Sequence, residues 1–345
     1  MDGELLEKNY MILSKSIVII DNSKLSYAGK DINGKILRGT ETSLILLAEE
    51  FAKKGYRVDF ANNIESPKVH NYVRYLNYRR LDLSYSYDLA IVVSDANFFK
   101  YVNSKKKALF SVSNQSIEKF VRKKQIIPFL KYRPVVVTLC YYQYKKRSFL
   151  TSLFGKKIIP ITSDPIFLKK NIDENFLPKK KVIYNIRSNR NLDLLVKIWT
   201  NYIYPQDNKS KFFITPGLIK YSKVLKSKNI FIRKITSRSR MINDLKNYRA
   251  LLYLGHKSDI FTLTAEEAIK LGIPVVTYGI GSLADRVVHG VSGFVCGNEK
   301  EFSHYTLKLL NDNSFYKRIR KKLLKNRKTN NWNSICDIWI KNFLL

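Results

Sequence analysis

The chain has 345 residues, with 62 lysines and arginines against 28 acidic residues and a formal net charge of +34. This length suits two domains of about 150–170 residues each better than one hydrophobic core. No apolar run approaches the roughly 18–20 residues of a membrane-spanning helix, the N-terminus does not resemble a secretory signal, and the three isolated cysteines argue against a disulfide framework or a zinc site.

The positive charge is concentrated in two segments. Residues 100–147 carry 13 lysines and arginines against one acid, Glu118, and residues 317–328 hold eight basic residues in twelve. Fields of this sign attract polyanions such as nucleic acid, anionic lipid headgroups and phosphorylated glycans. A biased composition that over-charges a solvated surface explains the global charge equally well, but it explains the clustering within 100–147 less easily.

The N-terminal half alternates strands and helices. Apolar residues three and four apart predict a helix over 40–55, with Thr40 as N-cap and Gly55 as C-cap. Strands predicted at 15–20 and 56–61 flank it and complete one βαβ unit. Further strands are predicted at 89–93, 108–112, 135–139 and 158–161.

A segment rich in proline and charge, residues 163–181, predicts a linker. The alternation then restarts: strands are predicted at 181–186, 211–215, 229–235, 248–255 and 273–279, and helices at 191–202, 264–272 and 330–345. This repetition predicts an α/β protein of two Rossmann-like domains with a cleft between them. Ligands of such sheets bind beyond the carboxyl ends of the strands.

One such strand end carries candidate site residues. Asp259 lies in the loop before the predicted helix at 264–272, and Glu267 lies about one turn inside it. The free N–H groups and dipole of a helix N-terminus favour a phosphate or sugar oxygen. Gly279 and Gly281 open the turn after the next strand. Because carboxylates accept hydrogen bonds from hydroxyls while N–H groups and arginines bind phosphate, the set predicts a sugar-nucleotide pocket.

Simpler interpretations of the same residues remain open. Thr264 and Glu267 also fit the capping-box pattern, in which Glu267 would only satisfy backbone N–H groups. Asp259, taken alone, is equally an ordinary loop acid. The histidines in this half have no metal-ligand spacing and are predicted to be structural or exposed: His256, His289 and His304.

The stretch "DIFTLTAEEAIKLGIPVV", which begins at Asp259, resembles the pattern E-G-F-G-L-x-x-x-E-A-M-A-x-G-x-P-V-V. That pattern belongs to the retaining glycosyltransferases of family 4, the group 1 type with the GT-B fold. Asp259 and Glu267 stand at its two glutamate positions. Asp259 is one methylene shorter than glutamate, about 1.5 Å, and Thr262 replaces a glycine. "GIGSLADRVVHGVSGFVC", "RGTETSLILLAEEFAKKGYRVDFA" and "NNWNSICDIW" resemble further family segments.

The resemblance implies a GT-B architecture for the whole chain. Residues 1–165 would form the acceptor-binding domain and residues 166–330 the nucleotide-sugar-binding domain. Residues 331–345 would form a helix that returns to the N-terminal domain.

The resemblance also implies roles for individual residues. Glu267 would bind the ribose hydroxyls of the donor, and Asp259 would hold hydroxyls of the donor sugar. Arg190 and Arg187 would neutralise the diphosphate leaving group. The remaining donor-binding positions are the backbone N–H groups of Phe261, Thr262 and Leu263 and the glycine turns at Gly39, Gly279 and Gly281.

The implied reaction moves a sugar from a UDP- or GDP-sugar to a glycan or lipid-linked acceptor with retention. No cofactor or metal is expected, because cationic side chains and a helix dipole can take a metal's place. Such an enzyme would act in cell-surface polysaccharide synthesis in the cytoplasm, with residues 100–147 facing an anionic membrane or a phosphorylated glycan. The alternative is a polyanion-binding protein on a catalytically inactive GT-B scaffold, although no nucleic-acid-binding motif is visible and nucleic acid is not expected. A sugar-nucleotide epimerase is a third alternative.

Overall fold

A computed structural model describes residues 15–32, 34–35, 37–146, 148–167, 172–186, 190–214, 226–233, 238–327 and 331–345. The chain forms two compact units. The first unit comprises Met1–Thr162 with Asn330–Leu345, and the second comprises Ser163–Thr329. Each unit is built on one predominantly parallel sheet flanked by helices, which confirms the predicted α/β class with two Rossmann-like halves.

The first unit contains an eight-stranded sheet in the order β3-β4-β2-β1-β5-β6-β7-β8. Its strands are β1 (Ser16–Ile20), β2 (Arg57–Asn62), β3 (Lys68–His70), β4 (Val73–Asn77), β5 (Ser86–Val93), β6 (Asn103–Phe110), β7 (Val135–Thr138) and β8 (Lys156–Ile158). The β3–β4 hairpin is antiparallel, and the other neighbouring strands run parallel.

Four helices of the first unit lie between these strands: α1 (Gly39–Lys53), α2 (Ile117–Arg122), α3 (Ile126–Tyr132) and α4 (Tyr141–Lys145). Strand β1 is buried along its whole length, as a continuous apolar run predicts for a central parallel strand. Val18 and Ile20 share a core cluster with Phe120 of α2 and Phe129 of α3. The rings of Phe120 and Phe129 meet edge to face with their centroids 5.2 Å apart, so α2 and α3 are fixed to the sheet.

The second unit contains a six-stranded parallel sheet in the order β11-β10-β9-β12-β13-β14. Its strands are β9 (Lys181–Tyr184), β10 (Lys211–Ile214), β11 (Ile230–Ile232), β12 (Ala250–Leu252), β13 (Val275–Thr277) and β14 (Gly293–Val295). Its helices are α5 (Leu192–Ile198), α6 (Arg238–Leu245), α7 (Leu263–Lys270), α8 (Glu299–Asn311) and α9 (Asn313–Asn326).

The predicted linker at 163–181 is in fact part of the second unit where it is described. Phe167 is fully buried in the core of that unit. The carbonyl of Pro178 accepts a hydrogen bond of 2.9 Å from Nε of Arg249, a buried arginine at the start of β12. The prolines and charges of this segment therefore belong to an irregular but packed stretch of chain.

The basic run 317–328 lies largely in α9. It is only partly a solvated surface, because two of its arginines point into the unit and bind backbone carbonyls. Arg320 is 2% exposed, and its Nη1 donates to the carbonyl of Gly272 at 2.6 Å while its Nη2 donates to the carbonyl of Asp173 at 3.1 Å. Arg327 donates to the carbonyl of Lys270 at 2.7 Å. Cations of the run thus satisfy carbonyls at the C-terminal end of α7, where helices leave such groups unpaired.

The last helix, α10 (Trp332–Phe343), packs in the first unit. The ring of Trp339 lies 5.5 Å from that of Phe110 in β6, and Asp337 forms a 2.7 Å ion pair with Lys54 just after α1. None of the helices in the described ranges is long and apolar enough to cross a membrane. The three cysteines are free and buried, as expected for structural thiols, and burial raises the pKa of Cys296 and Cys336 to about 12.

Candidate functional site

Two loops of the second unit meet at the carboxyl ends of β12 and β13. Gly255 follows β12 with a φ of +95°, and a Cβ there would lie 2.4 Å from the carbonyl oxygen of Ile280. Gly281 follows β13 with a φ of +76°, and a Cβ there would lie 2.4 Å from the carbonyl oxygen of His256. Both positions need glycine, because the left-handed backbone and the close approach each exclude a side chain. Glycine thus lets the two loops touch.

Asp259 lies in the first of these loops and is engaged by two side chains. Its Oδ2 accepts a hydrogen bond from the hydroxyl of Tyr253, and its Oδ1 lies 3.5 Å from Nε of Arg190. Burial, together with the neighbouring carboxylate, raises the pKa of the Tyr253 hydroxyl, so this hydroxyl stays a donor. The carboxylate side chain is 14% exposed. One carboxylate is thus fixed next to one guanidinium at the edge of the sheet.

Arg190 also contacts His256, which the sequence analysis set aside as structural or exposed. Nη1 of Arg190 donates to Nδ1 of His256 at 2.7 Å, and the backbone N–H of Ser258 donates to the same nitrogen at 3.1 Å. Arginine carries no acceptor, so Nδ1 must accept and the ring proton must lie on Nε2. Asn191 secures the Arg190 segment by donating to the carbonyl of Gly255 at 2.6 Å. Arg187, the other predicted cation, lies outside the described residues.

The start of α7 bears on the capping-box interpretation of Glu267. The helix begins at Leu263, and its N-cap, Thr262, makes no side-chain capping hydrogen bond. The hydroxyl of Thr262 instead lies 3.0 Å from that of Ser282 in the neighbouring loop. Thr264 is the second residue of the helix, so the predicted capping box with Glu267 does not describe this helix end. Glu267 lies half-buried on the second turn.

A second charged cluster, which sequence reasoning missed, fixes Phe261. The carboxylate of Glu266 accepts from Lys270 at 2.9 Å, from Arg286 at 2.7 Å and from the backbone N–H of Ser163 at 3.1 Å. The guanidinium of Arg286 stacks on the ring of Phe261 at 3.4 Å. The spacing of Glu266 and Lys270, four residues apart on a helix, was the one signal of this cluster in the sequence.

The structure brings several predicted site residues together. Asp259, Arg190 and the backbone around Gly281 meet beyond the carboxyl ends of β9, β12 and β13, the position at which parallel sheets bind ligands. Gly279 lies in the same turn as Gly281, with a φ of +67°. Phe261, Thr262 and Leu263 form the entry to α7. Gly39, the remaining predicted position, is the first residue of α1 in the first unit.

The chain is similar to a known protein family in sequence and to solved structures in fold. Residues 219–326 match the family model described as "Glycosyl transferases group 1". No sequence among the curated proteins matches the chain. Similar solved structures include sucrose-phosphate synthase from Thermosynechococcus elongatus, with a TM-score of 0.69, 12% identity and coverage of 96% of this chain and 98% of that one.

Two further structures were solved with nucleotide present. Anabaena HepE in complex with UDP has a TM-score of 0.66 at 14% identity, with coverage of 95% of this chain and 99% of that one. S. aureus TarM, in a complex with fondaparinux, alpha-GlcNAc-glycerol and UDP, has a TM-score of 0.57 at 19% identity. The match covers 74% of this chain but spans only 55% of TarM.

The family match falls on the unit that carries Asp259, His256 and the turn at Gly281, and the similar structures extend the likeness of fold over both units. Residues 219–326 therefore match a group 1 glycosyltransferase domain, and the chain as a whole has the fold of the GT-B glycosyltransferases.

Proposed function

We propose that the protein transfers a sugar, with retention, from a UDP- or GDP-sugar to a glycan or lipid-linked acceptor, as family 4 enzymes do. The observation that carries this proposal is the guanidinium of Arg190, fixed between Asp259 and His256 beyond the carboxyl ends of the second sheet. A fixed cation at such an edge suits a diphosphate. That HepE and TarM were solved with UDP supports a uridine nucleotide as the first donor to test.

In the proposed reaction the bond between the sugar and the diphosphate breaks as the acceptor hydroxyl attacks from the same face, and the proton of that hydroxyl passes to an oxygen of the leaving diphosphate. Arg190, Arg187 and the N-terminus of α7 would stabilise the negative charge that develops on the leaving diphosphate. No metal or cofactor is needed in this scheme, because the cations are supplied by the chain. Glu267 would accept hydrogen bonds from the ribose hydroxyls, and Asp259 would contact the donor sugar.

Glu267→Ala is expected to weaken UDP or GDP binding by about tenfold or more, because the ribose hydroxyls lose a charged acceptor. Isothermal titration calorimetry of the wild type and the variant measures this. Glu174→Ala, which removes a half-exposed carboxylate elsewhere in the second unit, is the matched control and should bind like the wild type. Absence of binding of both nucleotides to the wild type would contradict the proposed function.

We also propose that the enzyme works in the cytoplasm at the inner face of an anionic membrane, where it would serve surface polysaccharide synthesis. Helices α2 and α3 expose apolar side chains within the basic region 100–147: Ile117 is 53%, Val121 57% and Ile127 79% exposed. Exposed cations flank these side chains, namely Arg122, Lys123, Lys124 and Lys131. Exposed apolar side chains with exposed cations close to them in the chain fit the interface of an anionic bilayer.

Vesicle binding tests this membrane proposal. The wild type should sediment with vesicles of phosphatidylcholine and phosphatidylglycerol but not with phosphatidylcholine alone, and high salt should release it. Ile127→Asp should weaken the binding by about tenfold, since it removes apolar burial and adds a repelled charge. Val69→Asp, which alters a side chain 73% exposed in the same unit, should have no such effect. Equal binding to both vesicle types would remove the proposal.

A further inference from the structure

We propose that His256 is a positioning residue that, together with Asp259, aims the guanidinium of Arg190 at the donor diphosphate. This inference rests on the proposed function, and it adds a residue that has no counterpart in the sequence motif. The side chain of His256 is half-buried and lies in the loop between β12 and α7, next to the turn that contains Gly281.

The first argument is the way in which the guanidinium is held. Its five N–H groups lie in one plane and point in fixed directions. Nη1 donates to Nδ1 of His256 at 2.7 Å, and Nε lies 3.5 Å from Oδ1 of Asp259. One nitrogen is therefore hydrogen-bonded and a second lies within ion-pair distance of a carboxylate, and the two contacts together orient the plane of the group. Within the described ranges no acceptor contacts Nη2 of Arg190, so the donors on that nitrogen remain for an anionic ligand.

The second argument is the chemical nature of the partner at position 256. A neutral imidazole nitrogen accepts a directed hydrogen bond without adding negative charge. A second carboxylate at this place would hold Arg190 as firmly, but it would repel a diphosphate. One charged partner and one neutral partner therefore orient the cation and leave its charge available for the ligand.

The third argument is that His256 is itself held in place. The backbone N–H of Ser258 donates to the same Nδ1 at 3.1 Å, and the carbonyl of His256 accepts from the N–H of Asp259 at 2.9 Å. Ring and carboxylate thus belong to one tight turn and move as a unit. Arg190 loses its rotamer freedom before a ligand arrives, which is the usual gain of preorganisation.

Two variants of His256 separate positioning from a merely structural role. Asparagine places its Oδ1 near the position of Nδ1 and keeps the acceptor, whereas leucine fills a similar volume without one. Calorimetry with UDP, uridine and inorganic pyrophosphate supplies the readout, and the thermal unfolding midpoint of each variant confirms folding. His256→Leu should bind UDP and pyrophosphate at least about tenfold more weakly and uridine unchanged. His256→Asn should keep the UDP affinity within about threefold.

Each outcome decides the matter. UDP affinity unchanged in His256→Leu overturns the inference, and so does an equal loss for UDP and uridine, because a structural defect would affect both. Failure of the wild type to bind UDP and GDP contradicts the proposed function instead. In that case the positioning role is tested by pyrophosphate binding. Weaker binding of pyrophosphate to His256→Leu than to the wild type supports the role. Equal binding to both proteins, or no binding to the wild type, overturns it.

Discussion

Arg190→Met is expected to lower kcat for the proposed sugar transfer by about 10²–10³-fold, because the proposed reaction loses the fixed positive charge that would stabilise the leaving diphosphate. The side chain of Arg190 is 19% exposed and is already oriented by Asp259 and His256. Nucleotide release from the donor, followed with and without acceptor, measures the effect.

Two further variants sharpen this test. Arg190→Lys should fall between the wild type and Arg190→Met, since an ammonium keeps the charge but cannot hold both His256 and Asp259 through separate nitrogens. Arg318→Met removes one positive charge from the exposed face of α9 and should leave kcat unchanged. Turnover by Arg190→Met at the wild-type rate would show that Arg190 does not stabilise the leaving group.

Arg320→Leu is expected to lower the free energy of unfolding by about 3–4 kcal/mol, because it removes a buried side chain and leaves the buried carbonyl of Gly272 without its donor. The guanidinium satisfies the carbonyls of Gly272 and Asp173 from a position that is 2% exposed, and leucine can reach neither. Gly272 ends the turn after α7, so the loss loosens the helix that carries Glu267.

Urea unfolding followed by circular dichroism measures this loss. Lys317→Leu, an exposed lysine of the same helix, is the matched control and should change stability by less than about 0.5 kcal/mol. A wild-type midpoint for Arg320→Leu would mean that the basic run serves only as a charged surface after all.

Periodicity located much of the fold. The helix predicted over 40–55 is α1, Gly39–Lys53, because its apolar face recurs every three to four residues. The apolar stretch predicted as a strand at 135–139 is β7, Val135–Thr138. Helix α9 was not predicted from the sequence, because its many lysines and arginines obscure the spacing of its apolar residues. Yet Phe315, Ile319 and Leu323 of that helix form a buried face.

The hairpin of β3 and β4 could not have been found by turn chemistry. Its turn residues, Asn71 and Tyr72, have φ values of 48° and 61°. Glycine usually supplies this backbone conformation. Asparagine is enriched in that conformation but tyrosine is uncommon there, so only Asn71 marks the turn in the local sequence.

The site was predicted only in part, for a comparable reason. Alignment with the family pattern can find Asp259 and Arg190, because each has a fixed position within a short segment of the sequence. It cannot find the contact of Arg190 with His256, or that of Arg286 with Phe261, since these depend on how loops after different strands approach one another. Gly255 and Gly281 permit that approach, and the three-dimensional structure was needed to show it.

The return of α10 to the first unit has a consequence for synthesis on the ribosome. The second unit, Ser163–Thr329, is one continuous stretch of chain and can fold completely once it has left the exit tunnel. The first unit emerges earlier but lacks Trp339, which packs against Phe110, until α10 is translated after the second unit. The second unit can therefore finish folding before the first, although the first emerges earlier. Chaperones would meet the incompletely folded first unit while the second unit is being synthesised.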